Sequence, residues 1–182
     1  MLIAEKKKEK NIAEYIIYIW QTEDLIRAYN FDINYIEASI IKHLPISDAE
    51  KVQTTDWYKT LIEEMSNEGL QLKGHLQHTR DILSEIEHIH HALLTLIHDE
   101  EYKQIYAKAK VDIHLFQSLA SSEYERNLNE TEVCMNGLYG LLLLRLENKI
   151  VPPDLLQAVE NFGSMMSYLS LKYKEKQTGM WN

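Results

Sequence analysis

Three prolines, six glycines and one cysteine are all that a 182-residue chain holds of the residues that most often turn, break or crosslink a backbone. A lone Cys134 excludes an intramolecular disulfide and suits a reducing compartment. No apolar run approaches the ~18 residues of a membrane span, because the longest, around Leu141 to Leu144, is cut by Arg145 and Glu147. Basic residues are also scarce: 19 Lys and Arg stand against 28 Asp and Glu, a formal charge of -9. Phosphate backbones are bound chiefly by clustered cations, so the balance argues against a nucleic-acid partner. The clusters Lys6, Lys7, Lys8, Lys10 and Lys172, Lys174, Lys176 read as solvated helix ends. The first residues lack the order of a signal peptide, which gives the expectation of a cytosolic protein without a membrane partner.

What is present is helical periodicity. The apolar fraction of 45% suits a folded domain, and no window shows the two-residue alternation of a half-buried strand. A first helix is expected over about residues 11–29, with Ile12, Ile16, Ile19 and Ile26 on one face. A shorter one follows over about 33–44, ended by Pro45, and the polar loop 45–55 is expected to cap the next helix with Thr54 or Thr55. From Tyr58 to Ile97 the apolar positions alternate spacings of four and three without a slip. That register predicts one long helix over residues 55–98, kinked near Gly69 and Gly74, or two nearly collinear ones. Tyr102 to Ala120 marks a further helix, and Ser121 to Glu132 a polar interruption. Val133 to Leu146, apolar nearly all round, is expected at the centre of the domain. Pro153 opens a last helix through Tyr173, and the tail carries Met180 and Trp181. The expectation is one all-α domain over residues 1–182, an up-and-down bundle of five or six helices including one long, kinked helix.

Seven of the eight histidines lie between residues 75 and 114. At about 100° per residue, His75 and His90 fall on the apolar stripe centred on Ile86, whereas His88, His91 and His98 fall on a polar face. The cluster therefore does not converge, and no metal site or cofactor is expected. Two Glu-x-x-His pairs, Glu85 with His88 and Glu87 with His90, have the spacing of dinuclear bundles but point to different faces and have no second copy. A three-histidine site from His43, His75 and His114 has no support in spacing. His75 and His90, polar rings on an apolar stripe, need hydrogen-bond partners.

The first helix holds a second constellation. Glu23 continues the apolar stripe, Arg27 lies one turn on where an i, i+4 pair forms, and Trp20 is beside them. The candidate binding residues are therefore Trp20, Glu23, Arg27, His75 and His90. The segments Asn11-Ile12-Ala13-Glu14-Tyr15, Trp20, Glu23-Asp24-Leu25-Ile26-Arg27, Glu68-Gly69 and Gly74-His75-Leu76-Gln77 resemble an uncharacterised all-helical family of about this length from Bacteroides and related bacteria. That resemblance implies a helical fold over essentially the whole chain and brings no catalytic residues.

No nucleophile with an adjacent base and orienting acid can be read from the spacing, so no catalytic residue is assigned. The leading expectation is a cytosolic, non-enzymatic interaction or regulatory module that takes a protein partner or associates with itself. The alternatives are a small-molecule-binding bundle with a polar pocket, or a metal-dependent enzyme using bundle histidines and carboxylates.

Overall fold

The computed structural model describes residues 3–180, and among these every regular element is helical. In chain order they are α1 (Ile3–Lys10), α2 (Ile12–Ala28), α3 (Ile33–Ser39), a 3-10 turn (Ile41–His43), α4 (Asp48–Asn67), α5 (Gln77–Thr95), α6 (Glu100–Leu119), α7 (Glu123–Arg126), α8 (Glu130–Leu146) and α9 (Pro153–Gln177). None of them is long and apolar enough to cross a membrane. Nine helices among the described residues replace the expected five or six, because a break divides the segment expected as one long helix and because α1 and α7 form where apolar spacing predicts none.

The start of α4 is set by a cap. Ser47 accepts the Glu50 N–H while the Glu50 carboxylate accepts the Ser47 N–H at 3.0 Å, a capping box that starts the helix inside the expected loop. Thr54 does not cap; its hydroxyl donates to the Glu50 carbonyl. Two further boxes, Ser122 with Glu125 and Asn129 with Glu132, carve α7 and the start of α8 out of the polar interruption.

The long helix expected over residues 55–98 is two helices. Gly69 takes φ +70°, and the N–H groups of Gly69 and Leu70 return to the carbonyls of Ser66 and Met65, which closes α4 with a glycine-terminated cap. Gly74, at φ +95°, keeps the connection out of helical geometry until Gln77. Leu70 and Leu76 are buried in it while Leu72 is 92% exposed, so the unbroken heptad spacing was partly coincidental. At the far end α5 stops at Thr95, and His98 takes a left-handed φ of 56°. Ile97 is consequently exposed rather than part of the buried stripe.

The described residues group into two compact units. The first takes in residues up to Lys10 and Glu14–Asp81; its α3 packs on α4, and its apolar interior includes Ile16, Ile19, Ile26, Ile36, Tyr58 and Met65. The second takes in Asn11–Ala13 and the chain from Ile82 onward, with α9 packed against α6 and α8. Gly137 permits that approach: a Cβ there would lie 2.7 Å from the Phe162 ring. Phe162 in turn meets Phe116 edge to face at 5.0 Å. Cys134 is fully buried beside Met165, and burial raises its thiol pKa well above the ordinary value, as for an inert packing residue. The apolar segment 133–146 is central only in its first half; Leu143 and Leu146 reach the surface. Met180 is 61% exposed, and Trp181 lies outside the described residues.

Candidate functional sites

In the first unit, α2 and the connection before α5 bring together Trp20, Glu23, Arg27 and His75. Glu23 has no exposed surface. Its Oε1 accepts the Leu76 N–H at 3.0 Å and its Oε2 accepts from His75 Nδ1 at 2.6 Å. The expected Glu23–Arg27 pair is the longest of these contacts, at 3.9 Å. Arg27 is committed elsewhere: Nη1 pairs with Asp24 at 2.7 Å, Nε donates to the Leu70 carbonyl at 3.0 Å, and Nη2 donates to the Gly74 carbonyl. One guanidinium thus holds two turns of the irregular connection, a use of its rigid fork of donors that a lysine could not copy.

The His75 ring stacks on Trp20 with centroids 4.1 Å apart and planes inclined by 18°. With the Nδ1 proton fixed on a buried carboxylate, Nε2 carries the ring's lone pair, and the side chain is 31% exposed. A partly exposed imidazole oriented in this way can take part in a hydrogen bond through Nε2.

His90 belongs to the second unit and has its own partners. It is 1% exposed; Nε2 lies 3.0 Å from Glu130 Oε2, and Nδ1 lies 2.5 Å from the Tyr102 hydroxyl. Glu130 Oε1 accepts from the Tyr106 hydroxyl at 2.9 Å and lies 3.9 Å from His114 Nε2. Burial pushes the Glu130 carboxyl up, but hydrogen bonds from His90 and Tyr106 outweigh it, so its pKa is lowered. Burial raises the Tyr102 hydroxyl, and the negative fields of Glu87 and Glu130 add to it, so Tyr102 stays neutral.

The separation of His90 from His91 on a helical wheel does not survive in three dimensions. Their ring centroids are 5.1 Å apart, and Glu87, one turn earlier, pairs with His91 Nε2 at 3.0 Å. One donor atom each from Glu87, His90 and His91 lie within 4.8 Å of one another. Thr131 fixes the other Glu87 oxygen through its hydroxyl at 2.8 Å. His88 and His98 are exposed, as a polar face predicts. His43 is exposed on the 3-10 turn, while His75 and His114 have the partners given above; no three-histidine group forms among the described residues.

Sequence reasoning missed a surface. Val111, Leu115 and Leu119, at i, i+4 and i+8 along α6, are 71%, 51% and 73% exposed. Leu115 and Leu119, with Phe116, Tyr124, Leu128 and Leu155, line an open cavity of about 910 Å³ in the second unit. The signal was available: these leucines recur at helical spacing away from the core stripe Tyr102, Ala109, Ile113. No curated protein and no solved structure matches the chain. A family model described as "Domain of unknown function (DUF4924)" matches residues 1–180, and the chain belongs to that family.

Proposed function

We propose that the protein is a cytosolic, non-enzymatic interaction module of a Bacteroides-type bacterium, and that its partner is a second copy of its own chain. The observation that carries this reading is the α6 ridge beside the cavity. Leu115 and Leu119 form one wall of the hollow and Val111 continues the exposed apolar line along α6; a two-fold axis sets the same patch on both sides of an interface, so such a surface can bury itself against its own copy. Exposed apolar residues grouped in this way mark interaction surfaces, whereas singly scattered ones do not. Asp112, Glu125 and Asp154 rim the cavity, so like charges face each other in such a dimer and added salt strengthens it. Sedimentation velocity and light scattering test the reading. A concentration-dependent dimer is expected, tighter at high salt, and Leu115→Glu with Leu119→Glu yields a monomer of unchanged helicity. A strict monomer at every concentration and salt level overturns it.

A second reading, binding of a small polar molecule, is favoured by one observation: a fully buried Glu23 orients a half-exposed His75 stacked on Trp20. Arg27 shapes that site by holding the connection, and His90 lines no part of this reading. Thermal shifts with a metabolite panel decide it: a ligand that stabilises the parent but not His75→Ala supports it, and no stabilising ligand removes it.

A further inference from the structure

We propose that Glu87, His90, His91 and Glu130 form a mononuclear binding site for a divalent transition ion of the zinc type. The four residues combine two imidazoles with two carboxylates, a donor set suited to Zn²⁺ in tetrahedral geometry with bonds of about 2 Å. Such bonds place donors roughly 3.3 Å apart at the edges of the tetrahedron. Two edges already have that scale: His91 Nε2 to Glu87 Oε1 and His90 Nε2 to Glu130 Oε2, both 3.0 Å. One donor atom each from Glu87, His90 and His91 lie within 4.8 Å of one another, whereas Glu130 lies outside that group and reaches it through His90; the 63% exposed His91 ring and the Glu130 carboxylate have to draw in for four-fold coordination.

Three of the four proposed ligands, all but the exposed His91, have an orienting partner behind them, which accidental clusters of surface histidines and acids lack. Tyr102 holds His90 Nδ1 at 2.5 Å, Tyr106 holds Glu130 Oε1 at 2.9 Å, and Thr131 holds Glu87 Oε2 at 2.8 Å. The Tyr102 hydroxyl donates to Nδ1 while Nε2 keeps the ring proton, and accepts from Nδ1–H when Nε2 turns its lone pair to a metal. The backbone supplies the rest. Glu87, His90 and His91 occupy adjacent turns of α5, and Glu130 is the first residue of α8, placed there by the Asn129 and Glu132 capping box.

Untagged full-length protein is titrated with Zn²⁺ by calorimetry and with Co²⁺ by visible absorption. The expected result is saturable one-to-one uptake and the intense visible bands of tetrahedral Co²⁺. His91→Ala and Glu87→Gln, at partly exposed positions that leave the His90 contacts with Tyr102 and Glu130 intact, each weaken binding by about 100-fold or more. Thr131→Val, which removes the hydroxyl that touches Glu87 and the Asn129 cap and leaves all four ligands in place, weakens it by about tenfold. Replacing the exposed pair His88 and His98 by alanine leaves binding unchanged. The site is overturned if no one-to-one uptake occurs, if His91→Ala binds like the parent, or if the His88 and His98 variant loses binding as well.

Discussion

At the scale of single residues the strongest commitments are made by side chains whose alternatives are worse. Glu23 is wholly buried, yet its carboxylate is met by a backbone N–H and an imidazole. Removing one partner of a buried charged pair costs far more than the pair itself contributes, because a desolvated group is left without its bond. Glu23→Ala should therefore destabilise the protein by about 3 to 5 kcal/mol. His75→Ala, at a half-exposed ring whose loss leaves Glu23 its Leu76 N–H, should cost less, about 1 to 3 kcal/mol. Urea denaturation of both single variants and the double variant checks this, with a coupling above ~1 kcal/mol expected for groups in direct contact. Additive single effects would show that the 2.6 Å contact does not hold the connection. The sequence made Glu23 and His75 conspicuous for the same reason in both cases, polar groups on apolar stripes. It did not pair them, since the distance between residues 23 and 75 closes only when the connection 68–76 folds back.

At the scale of elements, caps decide more than propensity. Asp99 begins α6 by accepting the Tyr102 N–H at 2.9 Å, and it also accepts the Tyr168 hydroxyl from α9 at 2.8 Å. Burial pushes the carboxyl up, but these hydrogen bonds and the nearby Lys172 outweigh it, so its pKa is lowered. A carboxyl that titrates lower in the folded state gives stabilisation that is complete above the unfolded value of about 4. That stabilisation is lost as pH falls through that value toward the folded one. Asp99→Asn keeps a competent cap and removes the titration, so the acid limb of stability from pH 5 downward should be shallower. Asp99→Ala should lose about 1 kcal/mol at neutral pH through the cap alone. Thermal denaturation across that pH range separates the two. The longer helices were legible from 3.6-residue spacing, but α1 and the one-turn α7, which carry little apolar periodicity, were not, and neither were helix ends. Ser47 with Glu50 was a readable capping box, and Gly69 a readable stop, but the continuous apolar register from Tyr58 to Ile97 masked both signals.

At the scale of the whole molecule, the two compact units share helices: α2 and α5 each supply residues to both. We propose on that ground that residues 1–182 fold as one domain. Circular dichroism and tyrosine fluorescence should then report coincident thermal transitions, and calorimetric and van't Hoff enthalpies should agree. Two separated transitions would show that the units fold independently.

By itself the sequence determined the helical class, the acidic charge balance, the exclusion of an intramolecular disulfide and which polar residues required partners, because periodicity, composition and burial cost are local properties of the chain. Only the tertiary structure decided who the partners were. Glu23 turned from Arg27 to His75 because the connection after α4 brings the Leu76 N–H and the imidazole to the carboxylate while its own carbonyls occupy the guanidinium. His90 and His91, assigned to opposite kinds of face, met around Glu87 because an imidazole extends well beyond its Cα and adjacent rings can lean together over a glutamate one turn away. The α6 ridge became visible for a related reason. Spacing identifies an apolar stripe, but only the packed neighbours show which stripe has been left uncovered.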